Sequence, residues 1–272
     1  MRPEAVTHLA IATMRLDAIT TAVAAASLAA SGLTVPGLPA LPPAPRTPED
    51  LQRRTTIDAA LRRAWTGLDG FSTATPEEDA AIDAVSGENG NTYGEVTFDG
   101  ARCVFDALGL YDAPAGAVFA DLGSGVGQMV AHCAVECAVA GSVGVELSRS
   151  RHDRAVEALK RLSFDDDVDA AALKTVDLRE GDMLAELPRL ERVSHAYCAS
   201  LLFDDPMLAR LGAALDASNV ESFAALSSVP TKRFVQDGAP RRARMTWNPA
   251  GGGSDVFVYR RRKSYNKFHF TT

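Results

Sequence analysis

Hydrophobic and polar positions divide the chain into four stretches. From Met1 to Pro45 there is neither a helical stripe nor a strand-like alternation, and no residue from Ala18 to Pro45 is charged. AITTAVAAASLAAS is Ala-rich, and GLTVPGLPALPPAP reads as a linker with polyproline character. Arg2 and Arg15 ahead of a weakly apolar run, with ASLAAS as a cleavage-like site, are features of a targeting segment. Glu4 and Asp17 interrupt the basic region and Ala partitions poorly into membranes, which favours a helix or a loose arm. The run is too short and too polar to span a bilayer.

From Thr47 to about Glu88 the signals are helical. Thr47-Pro48-Glu49-Asp50 and Thr75-Pro76-Glu77-Glu78 both read as helix starts. The Thr hydroxyl caps free amides, Pro suits the first turn, and the carboxylates complement the positive end of the dipole. Leu51, Ile57, Leu61 and Trp65 are expected to form one apolar stripe.

Beyond Phe98 short apolar runs alternate with helical patterns. FDGARCVFDALGL predicts a helix, AVFADLG a strand, VGQMVAHCAVECAVA a helix and SVGVELS a strand. RSRHDRAVEALKRL predicts a helix capped by Ser148, and VDLREGD closes a third strand. SHAYCAS and FAALSSV predict a fourth and fifth strand around a helix that begins at Pro206. Strands spaced by helices imply an α/β fold with a doubly wound, mostly parallel Rossmann-like sheet, which binds ligands at the C-terminal ends of its strands. ARMTW and DVFVYRRR around NPAGGGS predict an antiparallel hairpin at the sheet edge. The expected organisation is an arm and linker over residues 1–45, a helical cap over 46–90 and a catalytic domain over 91–272.

Charge changes this picture at one end. The 272 residues carry 28 Lys and Arg against 35 Asp and Glu, net −7. From Pro230 onward there are ten basic and two acidic residues, net +8, which leaves 18 and 33, net −15, in the first 229. A basic tail on an acidic body suggests that RRAR, RRRK and Lys267 meet an anionic partner; a solvated basic tail is the other reading. Asp165-Asp166-Asp167 and Asp169 read as a solvated loop. Cys103, Cys133, Cys137 and Cys198 form no CxxC pair and sit in apolar surroundings, which suits buried thiols rather than a disulfide framework or zinc site.

Candidate chemistry enters at Asp121-Leu122-Gly123-Ser124-Gly125-Val126-Gly127-Gln128, between a predicted strand and helix. Glycines let the backbone turn sharply and approach a ligand. A dinucleotide fingerprint would put a glycine where Gln128 stands. GxGxG with an acid two residues earlier is instead the pattern of S-adenosylmethionine (AdoMet) sites. Asp121 would accept from the cationic amino group. Glu146 ends the second strand, 25 residues later, where it would take the ribose hydroxyls. Asp182 would take the adenine amino group, with Met183 against the ring. One glycine loop is explained by a structural turn; three acids at three successive strand ends argue for the cofactor.

Asn91-Thr92-Tyr93-Gly94-Glu95, Phe98, Phe119 through Gln128 and Gly144-Val145-Glu146 resemble the disruptor-of-telomeric-silencing family, the non-SET methyltransferases of a lysine on the folded core of histone H3. The resemblance spans about Asn91 to Tyr259. It implies that Tyr93, Gly94 and Glu95 close over the methionyl end of AdoMet, and that Gln128 and the loop residues Gly123, Ser124 and Gly125 contact the cofactor. Ser200, Phe203, Trp247 and Phe257, with Tyr259, would line the lysine channel; plain core packing is the other reading of the three hairpin aromatics Trp247, Phe257 and Tyr259. The family has Thr where Val96 stands, and Asn-Asn-Phe where Ala199-Ser200-Leu201 stands. The resemblance further implies a nuclear enzyme on nucleosomes; from its charge the basic C-terminal region is expected on nucleosomal DNA or the nucleosome's acidic patch, and a monomer is expected. Alternatives are a methyltransferase for another protein lysine or RNA, or a non-catalytic AdoMet-binding protein; a NAD-dependent oxidoreductase is disfavoured by Gln128. His132 and His152 fall in predicted helices and His195 at a strand start, so none is assigned as a base.

Overall fold

The computed structural model describes residues 43, 45, 47–71, 75–86, 94–247 and 252–262. The expectations for residues 1–42, for Tyr93 and for Lys263 and Lys267 lie outside the described residues. Eight strands form one sheet in the order β3-β2-β1-β4-β5-β8-β6, with β7 also paired to β8. They are β1 Val118–Leu122, β2 Gly141–Glu146, β3 Val176–Glu180, β4 His195–Cys198, β5 Ser222–Ala225, β6 Phe234–Gln236, β7 Arg241–Ala243 and β8 Ser254–Arg261. Strands β1 to β5 are parallel and β8 runs antiparallel to β5. The helices are α1 Pro48–Trp65, α2 Pro76–Ser86, α3 Phe98–Leu108, α4 Gln128–Glu136, α5 Arg149–Leu162, α6 Ala170–Leu173, α7 Met183–Glu186 and α8 Asp205–Ala217. No helix among the described residues is long and apolar enough to cross a membrane.

The helix starts follow their caps. Thr47 Oγ1 accepts from the Asp50 amide at 3.2 Å, and Ser148 Oγ from the Arg151 amide at 3.2 Å. Thr75 and Glu78 form a reciprocal box: the Glu78 amide donates to Thr75 Oγ1, and the Thr75 amide to Glu78 Oε2. Strand β1 is buried along its whole length, as a central parallel strand covered on both faces must be.

Helix α1 is joined to the sheet by apolar and ionic contacts. Ile57, Ala60, Leu61, Ala64 and Trp65 pack with Val126, Ala131, Val135, Ala158 and Leu162. Leu51, expected on the same stripe, is 56% exposed, because the buried face begins a turn and a half later at Ile57. Arg102, 3% exposed, donates to both Glu136 oxygens at 2.8–3.0 Å and to Asp58 of α1 at 2.6 Å. His132 Nε2 and the Tyr111 hydroxyl also reach Glu136, at 2.8 and 2.9 Å. A buried carboxylate needs this many partners to stay ionised.

One expectation is corrected and two are refined. The hairpin does not sit at the sheet edge: β8 lies inside, between β5 and the short strand β6, which sequence reading missed. The acidic run is not simply solvated, since Asp165 and Asp167 hold Arg63 of α1 at 2.8 and 2.6 Å. Several arginines of the basic cluster also have partners within the fold. Arg260 donates to the Ala107 and Leu108 carbonyls at the end of α3, and Arg261 to the Leu215 and Ser218 carbonyls at the end of α8. Arg241 pairs with Asp106 at 3.3 Å and Arg242 with Asp255 at 3.0 Å. Orphan carbonyls at helix C-termini attract cations, and these two arginines satisfy that need.

Arg261 also stacks over Phe234 at 4.5 Å. Arg261→Ala is therefore expected to lower unfolding free energy by about 2–4 kcal/mol, measured by urea titration, because it strips charged donors from several half-buried carbonyls.

Candidate functional site

The site forms where the strand order reverses. β2 and β3 lie on one side of β1, β4 and β5 on the other, and the crevice opens beyond the C-terminal ends of β1 and β4. The loop after β1 is held by its neighbours. The Gly123 and Ser124 amides donate to the Val145 carbonyl at 2.9 and 3.0 Å. The Gly125 amide donates to Glu146 Oε2 at 2.7 Å, and the Trp65 indole of α1 to the Val126 carbonyl at 2.9 Å. Gly127 has φ +76, and a Cβ there would come within 2.9 Å of the Ala155 Cβ, so this turn requires glycine.

Glu146 is buried at the end of β2. Its second oxygen accepts from the Ser148 amide at 2.8 Å. Burial pushes its carboxyl up, and the Ser148 and Gly125 amides and Arg151 oppose that. Asp182 lies two residues past β3 and caps α7, accepting from the Leu184 amide at 2.8 Å. Asp121 is 4% exposed, and its Oδ1 has no hydrogen-bond partner among the described residues. Burial, reinforced by Glu146, holds its carboxyl well above the usual range. A buried acceptor with nothing donating to it suits a cationic group.

Two adjoining cavities share Gly94, Gly123, Gly125 and Ala199 as walls. The first also brings together Glu146, Asp182, Met183 and Phe203; the second, Glu95, Asp121, Ser124 and Gln128. Gly94 and Glu95 stand on a strip that pairs with the chain's far end. The Glu95 amide donates to Thr246 Oγ1 at 3.0 Å, the Thr246 amide to the Glu95 carbonyl at 2.9 Å, and Val96 bridges Met245. A Cβ on Gly94 would lie 2.3 Å from the Trp247 ring, so the strip and the ring touch directly.

Ser200 departs from expectation. It is fully buried, its hydroxyl accepts from the Ser227 amide at 3.2 Å, and its carbonyl accepts from the Ser227 hydroxyl at 2.9 Å. That clamp between the ends of β4 and β5 turns it away from both cavities, and Ala199 takes its place on the wall. Phe257 is half-buried against the core below β5 rather than on a cavity wall. Tyr259 stacks on Phe223 at 4.4 Å and its hydroxyl accepts from the Val229 amide, which makes it a core residue.

Sequence reading missed Ile82 and Val85 of α2, Met207 of α8 and Tyr197 of β4, all on the cavity walls. It also missed the second task of Glu78. Besides closing the Thr75 box, its carboxylate accepts from the Ser150 amide at 3.0 Å and from the Ser148 and Ser150 hydroxyls. Burial opposes it, yet these bonds hold the Glu78 carboxyl below its usual range. Helix α2 is thereby moored beside the cavity that Ile82 and Val85 line.

Residues 83–186 match the family model described as "Histone methylation protein DOT1". That segment, which carries the glycine loop, Glu146 and Asp182, is similar to the family. None of the curated proteins matches the chain. Among solved structures, the chain is similar to an RNA methyltransferase from Salinibacter ruber in complex with S-adenosyl-L-homocysteine, at 17% identity and TM-score 0.44, over 61% of this chain and 94% of that one. It is also similar to a putative RNA methyltransferase from Pyrococcus horikoshii, at 17% identity and TM-score 0.46, over 78% and 100%. A methyltransferase from Geobacter sulfurreducens gives 14% and 0.44, over 74% and 96%. The fold, read from its own strand order, is a mostly parallel Rossmann-like sheet flanked by helices, with antiparallel strands at its C-terminal side.

Asp121 yields a test of the free protein. Its folded pKa lies above the unfolded one, so no penalty exists below about pH 4 and one accrues as pH rises. Asp121→Asn is expected to raise the thermal midpoint of the unliganded protein at pH 8. The gain should shrink to nothing as pH is lowered through the carboxylate range in a series of melts.

Proposed function

We propose that this protein, which is similar to the DOT1 family over residues 83–186, transfers methyl groups from AdoMet to a lysine in the globular core of histone H3, acting as a monomer on nucleosomes in the nucleus. The observation that carries the reading is the partnerless, buried Asp121 Oδ1 beside the glycine loop, at the strand reversal and under the Gly94-Glu95 strip.

When bound, AdoMet supplies a methyl group already activated by the positive sulfonium. The residues of this chain bind and align it. Asp121 accepts from the amino group, with Gln128 on the facing wall. Glu146 accepts from the ribose while the Gly125 and Ser148 amides keep its carboxylate oriented. Asp182 takes the adenine amino group, and Met183 packs on the ring. Gly94 and Glu95 cover the methionyl end, next to Tyr93 in sequence.

The acceptor amine must be neutral. A lysine with pKa about 10.4 is over 99.9% protonated at pH 7, and reversing that costs roughly 4–5 kcal/mol. Phe203 on the wall and Trp247 over Gly94 offer an apolar approach, where desolvation and a nearby sulfonium both disfavour the ammonium. No dedicated base is then needed, and the buried His132 is already tied to Glu136. Ser200 plays no part in this approach.

The acidic body, net −15 over the first 229 residues, suits a basic histone surface better than a nucleic acid.

Labelled AdoMet offered to nucleosomes, free histones and RNA, followed by mass spectrometry, tests the proposal. Methyl-lysine in the H3 core of nucleosomes is expected; label confined to RNA would overturn it. Glu146→Gln is expected to weaken AdoMet binding about 10-fold or more by calorimetry, because a charged acceptor is lost.

A further inference from the structure

Tyr197 has no task in the reading above. It is 1% exposed, yet its hydroxyl has no hydrogen-bond partner among the described residues. Buried phenols nearly always find one. Tyr197 is the register partner of Asp121 across β1 and β4, so the two side chains leave the sheet on the same face. Both line the cavity that Glu95 and Gln128 also wall. Two buried polar groups, neither satisfied, therefore face one space. One is an acceptor; the other is a donor. Gln128 and Met129, the first residues of α4, line the same space, and no side chain caps that helix. Its positive end favours a negative group there.

A ligand end that both donates and accepts fits this pair, and an α-amino acid end does so with opposite charges. Resting on the AdoMet reading, we infer that Tyr197 is a cofactor-binding residue: its hydroxyl donates to the methionyl carboxylate while Asp121 accepts from the adjoining ammonium. The pair selects for the amino-acid end of the cofactor, which the nucleoside acids at β2 and β3 do not touch. The orphaned phenol is the state of the free protein, and binding supplies its partner.

Calorimetry on the full chain tests this with AdoMet, decarboxylated AdoMet and 5′-methylthioadenosine, which lacks the amino-acid end. Tyr197→Phe is expected to weaken AdoMet about 10-fold and to leave methylthioadenosine within twofold. The free variant should melt at or above the wild-type temperature, since an unsatisfied hydroxyl is removed. Wild-type protein should bind decarboxylated AdoMet about 10-fold more weakly than AdoMet, a comparison that needs no variant. Equal losses for AdoMet and methylthioadenosine, or unchanged AdoMet affinity with a lowered melting point as a bridging water would give, would overturn the assignment. If wild-type protein bound none of the three ligands, the cofactor reading itself would fall, and this assignment with it.

Discussion

Most of the site hangs on one buried carboxylate. Glu146 holds the Gly125 amide with one oxygen and the Ser148 amide with the other. The first bond fixes the loop after β1 against β2; the second fixes the start of α5. The loop is also held by Val126 in the α1 cluster and by the Gly123 and Ser124 amides on the Val145 carbonyl, but Glu146 is the side chain that ties loop and helix start together. Its burial raises the cost of losing either amide.

The two N-terminal helices extend this logic outward. Trp65 reaches from α1 to the Val126 carbonyl, and Glu78 reaches from α2 to Ser148 and Ser150. The loop that faces the crevice is thus braced from behind by α1, and the helix start after β2 is braced from above by α2. Arg102, Asp58 and Glu136 lock α1 to α3 and α4. The segment that composition marks as a helical cap is in structural terms the outer support of the glycine loop.

What the sequence made legible is what local rules control. Threonine-proline-acid starts, short apolar runs and the glycine spacing depend on neighbours within a few residues, and the structure follows them at Thr47, Thr75, Ser148 and β1 to β5. Asp121, Gly123, Glu146, Asp182 and Gly94 were findable because each sits at a strand end or in a patterned loop. The misses share another cause. Ser200 and Tyr259 were read from their place in a motif, but long-range partners, Ser227 and Val229, decide where they point. Arg260 and Arg261 read as surface charge because nothing local says that two helix C-termini converge on β8. Tyr197 looked like any strand aromatic, and only the register with Asp121 sets the two side chains on one face of the sheet.

The pairing of residues 94–97 with 244–247 has a biosynthetic consequence. Its two halves are separated by about 150 positions, and Gly94 meets Trp247 face to face. On the ribosome the central strands can order first, yet this wall of the cavity stays missing until residues 244–247 have emerged. A product that stops before them is thereby left with an open pocket.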